Sequence, residues 1–156
     1  MKGAIKTLAF LVLLSTLLPS AGCNAIDTPS TAQVEAVLKE ELGKIMKIES
    51  VERTNDLPQS IYSVFYEAKA TTTEPLSIVK LGWPLNGFLA FESKETKNYI
   101  RFRGRDRTRN PEEDLDSGAK IKFKGWVAFV KTENGWTWYV VGKMPIAITE
   151  IIRLPN

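Results

Sequence analysis

The chain has no histidine and a single cysteine, Cys23. Those two scarcities remove whole classes of chemistry. No imidazole is available as a general base, and a zinc site built from Cys and His ligands is excluded. Long hydrophobic runs are almost as scarce. Leu8 to Leu18 is apolar apart from Ser15 and Thr16. As a helix it would rise only about 16 Å at about 1.5 Å per residue, roughly half a bilayer core, so it is too short to span. No internal repeat and no low-complexity segment interrupts the rest of the sequence.

What is present is the composition of a folded protein: 44% hydrophobic and 25% charged residues in a chain of 156. The formal charge of +3 overstates the basicity of the folded part. Lys2 and Lys6 lie before the apolar run, and without them the 21 cations become 19 against 18 anions. A near-neutral domain gives no reason to expect a nucleic-acid partner.

Lys2 and Lys6, the short apolar run, the small residues Ser20-Ala21-Gly22 and then Cys23 have the layout of a secretory leader. Ala21-Gly22-Cys23 resembles the lipobox of bacterial lipoproteins, with Ser20 where leucine is usual. The resemblance implies cleavage after Gly22, a diacylglyceryl thioether on Cys23 and a further acyl chain on its amine. It also implies a bacterial cell-membrane location held by membrane lipid. Asn24 in place of aspartate implies the periplasmic side of the outer membrane if the source is Gram-negative. A lone exposed thiol in an oxidising compartment is the less favourable alternative. The expected organisation is a leader over 1–22, a lipidated tether over 23–29 and a single domain over 30–156. The six residues Asn24 to Pro29 reach at most about 20 Å.

Ser30 followed by Gln33 has the form of a capping box. Val34, Val37, Leu38, Leu42 and Ile45 share one helical face, which predicts a helix over Thr31 to Lys47 with Gly43 inside it. After the break at Asn55-Asp56-Leu57-Pro58, strands are expected over Ile61–Thr72, Leu76–Leu81, Phe88–Glu92, Asn98–Gly104 and Ala119–Lys131, with a last β-like run at Ile146–Arg153. Gly82 to Gly87 reads as a turn carrying Trp83, and Asn110-Pro111 as the start of a short helical turn. Asn134-Gly135 between two alternating runs reads as a two-residue hairpin pairing Phe129 with Val140. One helix followed by antiparallel strands predicts an α+β domain with the N-terminal helix packed on a curved antiparallel sheet. In element order it resembles a cystatin-like or NTF2-like roll.

Side-chain parity along that hairpin places Ile121, Phe123, Val127, Phe129 and Trp138 towards the helix. The opposite face receives Lys120, Lys122, Lys124, Trp126 and Tyr139, and Arg101 and Arg103 join it if their strand lies alongside. A bulge at Gly125 would turn Trp126 inward. Two readings of this face stay open. It is a solvated face whose charges compensate one another, or it binds anionic groups: a lipid headgroup, a glycan or an acidic protein. The expected function is a lipid-anchored, non-catalytic binding or assembly module of the cell envelope, without cofactor or metal. A hydrolase using paired carboxylates, with Glu67, Glu92 and Glu95 as candidates, and a secreted enzyme inhibitor are the alternatives.

Overall fold

The computed structural model describes residues 27–81, 87–95, 109–139 and 146–155. Cys23, the tether to position 26, the turn residues 82–86 and the arginine-bearing stretch 96–108 lie outside the described residues, as do positions 140–145.

The single described helix, α1 (Thr31–Leu42), begins on the expected capping box. Ser30 Oγ accepts from the Gln33 amide at 3.2 Å, and Gln33 Oε1 accepts from the Ser30 amide at 2.8 Å, so two otherwise orphaned donors are satisfied reciprocally. Its apolar stripe buries Val34, Val37, Leu38 and Leu42. The helix stops earlier than its periodicity predicts. Gly43 is the C-cap rather than an interior residue, and its amide closes the last turn on the Lys39 carbonyl. The chain then enters β1 (Met46–Leu57) directly.

The strands that follow are β2 (Tyr62–Thr72), β3 (Leu76–Leu81), β4 (Leu89–Ser93), β5 (Arg109–Leu115), β6 (Lys120–Thr132), β7 (Gly135–Tyr139) and β8 (Ala147–Arg153). They form one antiparallel sheet in the order β1-β2-β6-β8-β4-β3-β5, with β7 also paired to β6. The expected α+β class, a helix on a large antiparallel sheet, is therefore observed. Two elements differ from expectation. β1 is a strand where the helix and a break were predicted. Asn110-Pro111 lies in β5, not in a helical turn; β5 is an edge strand among the described residues, and its pairing to β3 slips beside Pro111, two settings in which a strand tolerates proline.

The longest strand, β6, has 13 residues and organises the sheet. It pairs without interruption to β2, from Tyr62 opposite Phe129 to Thr71 opposite Lys120. Its other edge is shared between β8 and β7. Ile121, Phe123, Val127 and Phe129 enter one core with the helix stripe, where Phe123 packs edge-on against Tyr66 and Phe91 at 6.0 and 5.8 Å. The β6–β7 turn is shifted from its predicted place. Thr132 pairs with Gly135, so Glu133-Asn134 forms the loop and Gly135 takes a left-handed φ of 102°. Phe129 accordingly faces Trp138, not Val140. The shift moves the partner by two residues, an even number, and so leaves Phe129 and Trp138 on their predicted face.

Candidate functional site

Alternation along β6 sets Lys120, Lys122, Lys124 and Trp126 on the face opposite the core. The irregularity near Gly125 belongs to β8: Lys124 faces Glu150 and Gly125 faces Ile148, which leaves Thr149 as the extra residue. The parity of β6 is untouched and Trp126 stays outward. Its ring is half-buried, edge-on to Phe88 at 6.4 Å, and Phe88 packs on a small second cluster of Val79, Leu81 and Ala90. Trp126 thus has an apolar neighbour on the outer face. Tyr139 ends β7 opposite Ala128, and its side chain lies outside the described residues.

The lysine row is stitched to acids on both neighbouring strands. Lys122 Nζ lies 3.4 Å from Glu67 on β2, and Lys124 Nζ lies 2.8 Å from Glu150 on β8. The hydrogen bond to Glu150 is the main cause that raises the Lys124 pKa above its ordinary value. Lys120 is exposed and has no ion pair among the described residues. β2 adds Lys69, directly opposite Lys122 and exposed between buried Ala68 and Ala70. Across β2, β6 and β8 four lysines face two carboxylates. β1 adds Lys47, Glu49 and Glu52 on the same face, Glu49 accepting from the Thr71 hydroxyl at 2.6 Å, so most of the charge is compensated. Glu112, Glu113 and Asp114 pair with Lys80, Arg153 and Lys94, respectively.

Of the candidate carboxylates, Glu67 and Glu92 do not converge. Glu67 is on β2 and Glu92 on β4, three strand steps apart in the sheet order. At about 4.8 Å per step that is roughly 14 Å, beyond the spacing of up to about 9.5 Å used by glycosidase pairs. Glu95 follows the end of β4.

A concave site that the pattern did not disclose lies between α1 and β7. Val37 and Ala36 of the helix face Phe129, Trp136 and Trp138 of the hairpin across a groove of about 270 Å³, with Glu40 on its wall. Gln33, already part of the capping box, donates from Nε2 to the Trp136 carbonyl at 3.2 Å and ties the helix start to β7. The spacing Trp136-Thr137-Trp138 was the available signal. Side-chain parity along the hairpin names only Trp138 for the inward face, and Trp136, two residues earlier, shares it.

Trp136 also fixes the entering chain. Its indole N–H donates to Asp27 at 3.1 Å, Lys131 lies 2.5 Å from the same carboxylate, and the Trp136 ring packs edge-on against Tyr62 at 5.4 Å. Hydrogen bonds from Lys131 and then Trp136 lower the Asp27 pKa. Two residues on, the carbonyl of buried Pro29 accepts from Arg53 at 2.8 Å, and Arg53 grips Asp56 with two nitrogens while the Tyr62 hydroxyl donates to Asp56 at 2.9 Å. The segment Asp27 to Pro29 is thus part of the folded domain, not of a loose tether.

Among the described residues, no helix is long and apolar enough to cross a membrane, and no group of three or more acidic or thiol ligands is placed to hold a metal. Comparison with protein-family models, curated proteins and solved structures returned no match for this chain.

Proposed function

We propose that this chain is a lipid-anchored cell-envelope protein whose α+β domain, a cystatin-like or NTF2-like roll, serves as a non-catalytic binding or assembly module. One observation carries the reading. The sequence places a lipidation-type cysteine only four positions before Asp27, and Asp27 is already locked to Lys131 and Trp136. Four Cα steps extend at most about 15 Å, so an acylated Cys23 holds the domain against the bilayer surface. Two or three acyl chains make such an anchor lasting where one is marginal. Cys23→Ser is expected to move the protein from the membrane to the soluble fraction or to leave its leader uncleaved. Intact mass of the membrane-derived protein showing an unmodified thiol at Cys23 would sink the proposal.

The ligand surface of this reading is the outer cationic face of Lys120, Lys122 and Lys124 with Trp126 beside it; Arg101, Arg103 and the Tyr139 side chain, which the sequence pattern adds to it, lie outside the described residues. Its class of ligand is anionic, a lipid headgroup, a glycan or an acidic protein. Glu67 and Glu150 pair with two of the lysines, while Lys69 and Lys120 have no ion pair among the described residues. Changing Lys120, Lys122 and Lys124 together to Gln, in the chain from Asn24 onward, is expected to weaken binding to an acidic glycan or to anionic vesicles roughly tenfold or more at low salt. The melting temperature should barely move, because exposed ion pairs contribute little. If the parent chain binds neither probe, the face is a self-compensated, solvated one.

A further inference from the structure

We infer that the end of the sheet bearing Leu57 and Pro58 rests on the bilayer, with the lysine row held away from it. The inference rests on the proposed acylation of Cys23 and adds which surface of the domain then meets lipid. Three observations point the same way.

The first is where the chain leaves the domain. Asp27 is held by Lys131 and Trp136, beside the β6–β7 turn, and Pro29 is held by Arg53 in the outer half of β1. The second is register. Leu57 pairs with Ser63, Tyr62 with Phe129, and Thr132 with Gly135, so the β1–β2 and β6–β7 turns lie at the same end of the sheet as Asp27. The third is the chemistry of that end. Leu57 is 46% exposed and the adjoining Pro58 is exposed as well. The two cations nearest the exit are already neutralised, Arg53 by Asp56 and Lys131 by Asp27. A single exposed leucine means little by itself. That end also carries exposed Glu133 in the β6–β7 turn, so it offers anionic lipid no unpaired cation among the described residues, and Leu57 there suits an apolar contact and not a charge-driven one.

The lysine row occupies the other end. From Lys131 back to Lys124 and Lys120, at about 3.3 Å per residue, is roughly 23 and 36 Å, well beyond a Debye length of about 8 Å. A domain standing on its turns therefore presents the row to the aqueous space. Within the anionic class proposed above, this favours a glycan or an acidic protein over the headgroups beneath the anchor.

The test uses the full-length acylated protein, purified from membranes and returned to vesicles of phosphatidylcholine and phosphatidylglycerol. With Cys23 consumed by lipid, a thiol introduced by Leu57→Cys takes an environment-sensitive fluorophore selectively. Lys120→Cys and Ile152→Cys, which lie on the far half of β6 and β8, serve as comparisons. Lipid-borne quenchers are expected to reduce the signal at position 57 severalfold more than at 120 or 152, and high salt should leave that difference intact. Equal or stronger quenching at position 120 would show that the row lies on the membrane. Quenching at none of the three would show a domain standing clear of it; either result overturns the inference. Intact mass separates the two levels. An unacylated Cys23 removes both the anchor and this orientation, whereas an acylated protein with position 57 unquenched removes the orientation alone.

Discussion

Gly125→Ala is expected to destabilise the domain by about 3 kcal/mol or more, the upper part of the range for overpacking. Gly125 sits at the centre of β6, where β8 closes in on the side of its extra residue Thr149. A Cβ built there would lie 1.9 Å from the Ala147 carbonyl oxygen and 2.8 Å from the Tyr66 hydroxyl. The first of these atoms is backbone, so relief requires β8 to move away from β6 and to break the ladder joining the two halves of the sheet. At roughly 4 °C per kcal/mol for a domain of this size, the melting temperature should fall by about 10 °C or more. Tyr66→Phe supplies a control. The Tyr66 hydroxyl is buried with no partner among the described residues, burial pushes its pKa up, and removing it alone should be close to neutral. Combined with Gly125→Ala, Tyr66→Phe clears only the 2.8 Å contact, so the double variant should remain nearly as unstable as the single one. Full rescue by Tyr66→Phe would show that the carbonyl clash is not the cause.

The elements that were legible in the sequence are those whose side-chain period and local chemistry agree. Ser30 and Gln33 marked the helix start to the residue, since a capping box needs no tertiary partner. β6 and β2 alternate cleanly because each has one face on the core, and their faces survived even a misplaced turn. β1 was hidden for the opposite reason. Its pairing slips between Ile48 and Ser50 and again between Arg53 and Asn55, so MKIESVERTNDL never shows a sustained period of two. Ile45 added to the error: it is buried and continues the helical stripe by spacing, although the helix has already ended at Leu42. In β5, Pro111 read as a helix start because nothing local says that this segment lies at a sheet edge.

The candidate site divides along the same line. The lysine face was legible by parity within one strand. Its partial compensation was not, because Glu67 and Glu150 come from strands far apart in sequence that only the order β2-β6-β8 brings to either side of it. Likewise, the short reach of the tether depends on Asp27 meeting Lys131 and Trp136 from more than a hundred residues away. The sequence pattern alone assigns Asp27 to the polar tether over 23–29. Under the proposed acylation of Cys23, that lock would restrict which end of the sheet meets the bilayer.

Phe129→Ala is expected to cost about 3–5 kcal/mol, a third or more of the stability typical of a small domain. Phe129 is 1% exposed, lies between Tyr62 on β2 and Trp138 on β7, and shares the wall of the α1–β7 groove with Val37. Truncation therefore opens a cavity between the helix and the sheet. Collapse to fill it is restrained, since Gln33 ties α1 to the Trp136 carbonyl and Tyr62 is held by Asp56. Poor relaxation of this kind puts the cost towards the upper end of the range. Chemical denaturation should show a lower midpoint with an unchanged slope, the pattern of lost stability without a change in the surface exposed on unfolding. Phe129→Leu, which keeps most of the volume, should cost only about 1 kcal/mol. A midpoint unchanged by Phe129→Ala would mean that α1 does not rest on this end of β6, and the groove and the packing of the helix on the hairpin would both have to be redrawn.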